Sequence, residues 1–543
     1  MRIFTNARIY TLDSALPFVT ALAIERGRIL AIGHDQAILS DYGEHATPID
    51  LEGRTILPGL TDAHIHLEQY ALGLQKVDCE TATKAECLER IAERARATPP
   101  GEWILGHGWN QNDWPEGFGT AADLDSVAPD HPVYLTAKSL HAAWANSAAI
   151  RLGGITSSTS DPPGGRIQRH ASGEPAGILF EAAMSLVSEV IPRPTADSAV
   201  RAIQVAQERL WRMGLTGLHD FDRQTCFTAL QILHEAGDLH LRVLKSIPFD
   251  ALPDAVGLGL RSGFGDDWLR IGSVKIFADG ALGPRTAAML QPYEGEPENQ
   301  GILLIDSEDL FEHGRLAVEN GLSLAVHAIG DRANHEVLMA FKQLRALESQ
   351  AGSPPARSDR PRSGSALRHR IEHVQIIHPA DSPLLAELGV IASMQPIHAT
   401  SDFPAADRYW GQRSANSYAW RTLLDFGTKM AFGSDAPVES PNPFWGLHAA
   451  VTRQRQDGSP GPDGWYPGQR LSRLEALQGY TTGAAYTAGM ENRLGHLSPG
   501  FLADLVILDN DPMTCEAGLI KDICPVATMI DGNWVFCDLP VSD

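Results

Sequence analysis

Cysteine is scarce in this chain, whose 543 residues include six cysteines and no Cys-x-x-Cys pair. Such scattered cysteines argue against a disulfide framework and predict reduced thiols in the cytoplasm. The amino terminus lacks the charged and apolar stretches of a secretory signal, and no apolar run approaches the length that spans a bilayer. We therefore predict a cytoplasmic protein with no membrane partner.

Positively charged residues are also few relative to negatively charged ones. The chain has 44 lysines and arginines and 67 acidic residues, which gives a formal net charge of −23. A chain of this sign argues against nucleic acid and anionic lipid as partners. The hydrophobic share of 43% is ordinary for a globular protein. The length exceeds what one small core needs and predicts a large barrel with accessory parts.

The most informative motif that is present is the tripeptide His64-Ile65-His66, which follows the apolar run 55–60. In an extended strand, residues two apart point to the same face, so both imidazoles can reach one point in space. Imidazole is the commonest metal ligand at neutral pH. The motif therefore predicts half of a metal site.

The other half is predicted by four later apolar segments, each of which carries or ends in a potential ligand. These segments are 271–279, 322–327, 370–373 and 429–435, and their polar residues are Lys275, His327, His373 and Asp435. Near-continuous apolar runs are typical of parallel strands that are covered on both faces. Since barrel enzymes keep their chemistry at the carboxyl ends of such strands, we predict one metal site there.

Eight candidate strands alternate with helical patterns such as 202–210, which predicts an α/β fold with a (β/α)₈ barrel over residues 56–490. The terminal segments 1–55 and 491–543 are too short for separate cores, so we expect them to pair into one small β-sandwich. The predicted strands are Ile56–His64, Gly214–Phe221, Leu241–Pro248, Ile271–Ala278, Leu322–Ala328, His369–Gln375, Gly389–Gln395 and Lys429–Asp435.

Two intervals interrupt this alternation. Residues 67–198 are far longer than an ordinary connection, and we predict an inserted subdomain over the barrel mouth. The segment Gly352–Ser365 is rich in serine, proline and arginine and predicts an exposed flexible loop, to which we assign no function.

The order His-x-His, Lys, His, His, Asp on successive strands resembles the amidohydrolase superfamily. Within it, the chain is similar to the branch that includes N-substituted formamide deformylases, which is amidohydrolase family 3. The likeness covers nearly the whole chain. The phrases that carry it are Leu57–His64, Gly106–Gln111, Asp279–Gly283, His327–Asp331, Gly433–Val438 and Gly500–Val506.

Lys275 has two interpretations. A lysine in an apolar strand is costly as a free cation, so one interpretation is a buried ion pair or a stem that reaches the barrel mouth. The other is implied by the resemblance, namely that Lys275 has reacted with carbon dioxide to give N6-carboxylysine, an anion that bridges two metals.

The resemblance further implies two divalent metal ions. One would be held by His64, His66 and Asp435, and the other by His327 and His373. Carboxylated Lys275 and a hydroxide would bridge them, and Asp435 would pass a proton from the attacking water to the leaving group. Mixed nitrogen and oxygen ligation suits zinc, and also iron, manganese or cobalt.

Further candidates are expected to contact the substrate. His141 has a substrate or oxyanion role, or a structural one, while Trp109 and Asp113 line the pocket or pack a lid. His219 ends the second strand and is expected to face the mouth. Arg285 anchors a substrate anion or pairs with a neighbouring acid. The remaining histidines are interpreted as surface or capping residues.

The function that these features favour is metal-dependent hydrolysis of a carbon–nitrogen bond in a small-molecule amide, such as an N-formyl or N-acyl amine. The alternatives are an esterase, lactonase or carbamate hydrolase on the same metal centre, and a non-catalytic regulatory scaffold. A one-metal deaminase fits less well, because by family analogy that pattern lacks the lysine of the fourth strand. A homodimer is the default expectation for the oligomeric state.

Overall fold

The computed structural model describes residues 1–111, 114–137, 142–351 and 367–539, with only the backbone of residues 350 and 351. Close contacts divide the chain into two units, residues 1–70 with 203–543, and residues 71–202. The segment Gly352–Ser365 lies outside the described residues. No helix in the described ranges is both long and apolar enough to cross a membrane.

The larger unit contains an eight-stranded parallel sheet whose strands follow one another in chain order. Ile65 forms a parallel bridge with Ala436, and the Asp435 amide donates to His64 O at 2.7 Å, which joins the last strand to the first. The predicted α/β barrel is confirmed. Its strands are Leu60–Ile65, Leu215–Asp220, Arg242–Pro248, Leu269–Phe277, Leu324–Ala328, Arg370–His373, Ile391–Met394 and Met430–Phe432.

Helices separate these strands, and the predicted helical pattern 202–210 lies within one of them. The α-helices outside the smaller unit's interior are Asp35–Tyr42, Leu67–Gly73, Ala196–Arg212, Gln224–Ala236, Leu252–Gly257, Ser307–Glu319, Asp331–Ala351, Ser382–Glu387, Pro396–Trp410, Trp420–Asp425, Pro443–Thr452, Arg473–Tyr480 and Thr482–Ala488. Short 3₁₀ helices are Phe249–Ala251, Gly411–Asn416, Pro467–Gln469 and Ala517–Asp522.

Two further sheets, one from the amino-terminal segment and one from both chain ends, share one hydrophobic core, which includes Phe4, Ile24, Ile56 and Leu505. The first sheet has the order Arg28–Gly33, Ala21–Glu25, Arg2–Thr5, Pro48–Asp50. The second has the order Asn533–Cys537, Pro525–Ile530, Leu505–Leu508, Thr55–Pro58, Arg8–Tyr10, Phe18–Val19. The sheets form a small β-sandwich built from both termini.

The first predicted strand, Ile56–His64, is wrong as a single element. Residues 55–58 pair with Leu505–Leu508 in the sandwich, whereas the barrel strand begins at Leu60. The chain changes sheets at Gly59, where a Cβ atom would lie 2.3 Å from Thr216 Oγ1. Because both pieces are buried, the apolar pattern runs through the boundary without marking it.

The smaller unit, residues 71–202, has a mixed sheet of its own. Its strand order is Gly165–Arg169, Pro175–Glu181, Ala142–Ala145, Val133–Ala137, Ile104–Trp109, Val77–Asp78. Its helices are Lys84–Ala97, Ala121–Val127, Ser147–Leu152, Ser185–Ser188 and the 3₁₀ turn Ala182–Met184. An inserted subdomain therefore follows the first barrel strand, and its predicted bounds of 67–198 stay a prediction.

Candidate metal centre

The two histidines of the first barrel strand meet the aspartate that follows the last one. The Nε2 atoms of His64 and His66 each lie 3.5 Å from Asp435 Oδ1. Ligand atoms of His64, His373 and Asp435 lie within 4.8 Å of one another, and all three residues are buried. Parallel strands that join side by side bring these residues together although they are far apart in sequence.

The other predicted ligands lie beside this group. The ring centroids of His373 are 5.0 Å from His64 and 4.6 Å from His327. Lys275 Nζ lies 4.6 Å from the ring centre of Phe221, and Phe221 stacks on His64 at 4.1 Å. The structure thus brings all six predicted ligands to one end of the barrel, and their role as metal ligands stays a prediction.

Each imidazole is held through one ring nitrogen. For three of them the partner is a side chain: Glu372 Oε2 lies 2.5 Å from His64 Nδ1, Asp222 Oδ1 3.1 Å from His66 Nδ1, and Gln395 Oε1 2.8 Å from His373 Nδ1. A partner at Nδ1 fixes the tautomer and turns Nε2 towards the cluster, which is how metal-binding histidines are commonly oriented.

His327 is held the other way round. Its Nε2 donates to the carbonyl oxygen of Gly280 at 2.9 Å, so its Nδ1 carries the lone pair. With the three histidines above, four ring nitrogens are therefore left as potential ligand atoms.

Burial sets the protonation of three of these four rings. It lowers the pKa of His327 to about 3 and places the pKa values of His64 and His373 well below the usual range. Burial lowers and Asp222 raises the pKa of His66, with a net increase. The three neutral imidazoles have the lone pairs that metal ligation requires.

Lys275 is buried, and burial lowers the pKa of its amine to about 8, against the attraction of Glu372 and Asp435. Within the described part of the chain, its Nζ makes no direct hydrogen bond or ion pair and faces the rings of Phe221 and Phe277, the latter at 5.0 Å. Among the described residues, Lys275 therefore has no acidic partner for the buried ion pair of its first interpretation.

A buried ion pair lies beneath His64. Arg370 Nε is 2.5 Å from Glu372 Oε1, and both side chains are almost fully inaccessible to solvent. Arg370 also donates to Ala63 O at 2.6 Å and contacts His219 Nδ1 through Nη1 at 2.9 Å. Glu372 therefore joins a ring of the candidate site to the interior of the barrel.

His219 does not face the mouth as expected. It is buried against Arg370 and lines a cavity of about 40 Å³ together with Gly59, Thr61 and Arg242, which lie at the amino-terminal ends of the strands. An inward position on the second strand explains the error, because strand alternation predicts the direction of a side chain but not its depth.

Of the other predicted substrate contacts, the structure describes Trp109 and Arg285. Trp109 has no exposed surface and packs on Trp144 in the core of the smaller unit, so it offers no surface to a ligand in this conformation. Arg285 pairs with Glu296, which matches the second of its two interpretations. Asp113 and His141 lie outside the described residues.

Three further polar groups at the site were missed: Glu372, Asp222 and His398. Glu372 carried the same signal as Lys275, a charged residue in an apolar strand. The interpretation of the remaining histidines as surface or capping residues is wrong for His398, which is 6% exposed and lies 3.9 Å from Asp435 through Nε2. Asp222 has no such local signal, because its partners are distant in sequence: the ring of His66 and the backbone amides of Glu68 and Gln69.

A parallel barrel that carries histidine, lysine and aspartate at the carboxyl ends of its strands defines the class of metal-dependent barrel hydrolases. The family described as the amidohydrolase family matches residues 47–536, and the chain belongs to this family. The resemblance found in the motifs is thereby confirmed.

Two relatives and one solved structure show how far the likeness extends. The chain is 33% identical to protein LONG AFTER FAR-RED 3 of Arabidopsis thaliana, over 93% of this chain and 87% of that protein. It is 29% identical to N-substituted formamide deformylase of Arthrobacter pascens, over 97% of this chain and 96% of that protein. An uncharacterised metal-dependent hydrolase from Pyrococcus furiosus matches with a TM-score of 0.77 and 29% identity. The match covers 94% of this chain and 100% of that one.

Proposed function

We propose that this protein is a metal-dependent hydrolase of carbon–nitrogen bonds in small amides, with N-formyl and N-acyl amines as the substrate class. The observation that carries the proposal is the cluster of His64, His373 and Asp435 at the end of the barrel strands. The likeness to N-substituted formamide deformylase supports the choice of substrate.

The residues present fit a metal. Among the described residues, His64 Nε2 has no hydrogen-bond partner although it is buried, and it points towards Asp435. An unpartnered buried nitrogen is costly, and a metal ion satisfies it. The buried partner at Nδ1 of the same ring is the carboxylate of Glu372, which completes the usual support of a metal-binding histidine.

We assign these donors to two ions. His64, His66 and Asp435 would hold one ion, and His327 with His373 would hold the other, with Lys275 between them as N6-carboxylysine. Carboxylation would replace a buried amine that has no anionic partner at bonding distance within the described ranges by an anion suited to ligation. Nitrogen and oxygen donors of this kind suit zinc. When bound, the ions supply Lewis acidity and lower the pKa of water from about 15.7 to about 7.

Asp435 has the proton-transfer role. Its Oδ1 faces the two histidines at 3.5 Å, and its Oδ2 points to the other side, towards His398. Oδ2 can therefore accept a proton from the attacking water and return it to the nitrogen of the leaving amine. No side chain forms a covalent bond to the substrate in this reaction.

The test combines metal content and turnover. Protein purified without chelator is analysed by inductively coupled plasma mass spectrometry and assayed with para-nitroformanilide, para-nitroacetanilide and the ester para-nitrophenyl acetate. We expect about two metal ions per chain, release of para-nitroaniline, loss of activity on chelation, and recovery with zinc and bicarbonate. Cleavage of the ester alone would favour the esterase alternative.

A non-catalytic scaffold is the second candidate, because the name of the 33% identical plant relative states no reaction. It predicts that protein reloaded with zinc and bicarbonate cleaves none of the three compounds. If the protein also takes up no metal, the hydrolase proposal is excluded.

A further inference from the structure

His398 lies at the candidate site on an element that carries none of the predicted ligands. It is in the first turn of the helix Pro396–Trp410, directly after the seventh barrel strand. Its ring is parallel to that of His373, with 9° between the planes and 6.1 Å between the centres. The side chain is 7% exposed, so it faces the end of the barrel and not the solvent.

The hydrogen bonds of His398 set which ring nitrogen carries the proton. Gln375 Nε2 donates to His398 Nδ1 at 3.4 Å, which makes Nδ1 the acceptor and leaves the hydrogen on Nε2. Within the described part of the chain, Nε2 has no hydrogen-bond partner, although it is buried. A buried donor without a partner is costly and suggests a group that arrives with the substrate.

The distance to Asp435 indicates what that group is. Nε2 and Asp435 Oδ2 are 3.9 Å apart, too far for a direct hydrogen bond. The water that Asp435 Oδ2 deprotonates donates to that carboxylate oxygen at about 2.8 Å and therefore lies close to the Nε2–H. The carbonyl oxygen of the amide that this water attacks then comes within reach of the Nε2–H, while the carboxylate faces the water.

We propose that His398 is a catalytic residue whose Nε2–H donates a hydrogen bond to the carbonyl oxygen of the amide as negative charge develops there. This inference rests on the proposed function. Water attacks the carbonyl carbon, the C–O bond forms, Asp435 takes a proton, and the π electrons of the carbonyl move to its oxygen. The carbonyl then reforms, the C–N bond breaks, and the amine leaves with the proton from Asp435, giving an amine and a carboxylic acid, which releases its own proton to solvent.

Two substitutions separate this role from others. His398→Leu removes the donor and keeps an apolar side chain, whereas His398→Gln places an amide N–H where Nε2 was. Loss of one such donor lowers kcat by about 100- to 1000-fold. We expect that loss of kcat for the leucine variant on para-nitroformanilide, with KM and zinc affinity unchanged, and recovery to within about tenfold for the glutamine variant.

His448→Leu is the matched control, because His448 is a histidine of similar burial on the helix Pro443–Thr452. It should leave kcat unchanged. Zinc affinity is measured by chelator competition on metal-free protein, which does not depend on turnover. A fall in zinc affinity of His398→Leu would show that His398 supports the metals, and this would overturn the proposal.

A second variant keeps the ring in place. Gln375→Glu offers a carboxylate that accepts from Nδ1–H, which turns Nε2 into an acceptor and should lower kcat about as much as His398→Leu does. Combining Gln375→Glu with His398→Leu should then add no further loss. If the wild type and the variants turn over the substrate equally well, the role of His398 is refuted and the proposed function is not. If the wild-type protein is inert, the proposed function is refuted and this inference with it.

Discussion

Replacing Glu372 by glutamine should weaken zinc binding without touching a ligand. Glu372 Oε2 lies 2.5 Å from His64 Nδ1, and its other oxygen is 2.5 Å from Arg370 Nε. The carboxylate thus fixes the tautomer of His64 and neutralises a buried guanidinium. Loss of such a partner typically lowers metal affinity by about 10- to 100-fold, which is about 1.4 to 2.7 kcal/mol.

The same substitution should lower stability, because it leaves Arg370 buried with no charged partner among the residues that the structure describes. Breaking a buried pair in this way costs about 3 to 5 kcal/mol. Zinc affinity is measured by competition with a chelator, and the free energy of unfolding of metal-free protein is measured in urea. The two quantities separate the positioning role from the structural one.

Glu348→Gln is the matched control, since Glu348 Oε1 pairs with buried His369 Nε2 at 2.7 Å outside the candidate site. It should reduce stability and leave zinc affinity unchanged. If Glu372→Gln destabilised the protein but bound zinc as tightly as the wild type does, the assignment of Glu372 as the support of His64 would be refuted.

Three more predictions concern single side chains. Asp435→Asn should lower kcat by about 100- to 10,000-fold, because the amide cannot take the proton; turnover of para-nitroformanilide at the wild-type level would contradict this. Lys275→Met should reduce bound zinc per chain, and added acetate should restore part of it by replacing the carbamate; zinc content equal to that of the wild type would argue against a bridging lysine. His448 has its pKa lowered by burial to about 4 from 6.5, so the unfolded state gains a proton first as the pH falls. As the pH falls from 6.5 to 4, the wild type should therefore lose about 3 kcal/mol more stability than His448→Leu in urea titrations, and parallel curves would contradict this.

The barrel strands could be predicted from local pattern. Runs such as 271–277 and 324–328 are mostly apolar, with a few polar residues among them, and a strand buried on both faces favours that composition. The boundary at Gly59 between the sandwich strand and the first barrel strand could not be predicted from this pattern, because apolar residues continue across it. Tertiary contact with Thr216 decides that boundary.

The candidate site shows the same division. His64 and His66 share a face because residues two apart in a strand always do, and this holds before any tertiary structure is known. The partners that orient them, Glu372 and Asp222, are 308 and 156 residues away. Hydrogen bonds across the barrel leave no local period in the sequence.

By itself, then, the sequence determined the parallel strands, their polar ends and the resemblance that these ends carry, since each depends on neighbouring residues along one strand. Only the tertiary structure decided which buried group each of these residues faces. It placed His398 beside Asp435, His219 within the barrel against Arg370, and Arg285 on Glu296. The physical reason is that burial and pairing depend on how strands and helices pack, which the order of residues along one strand does not specify.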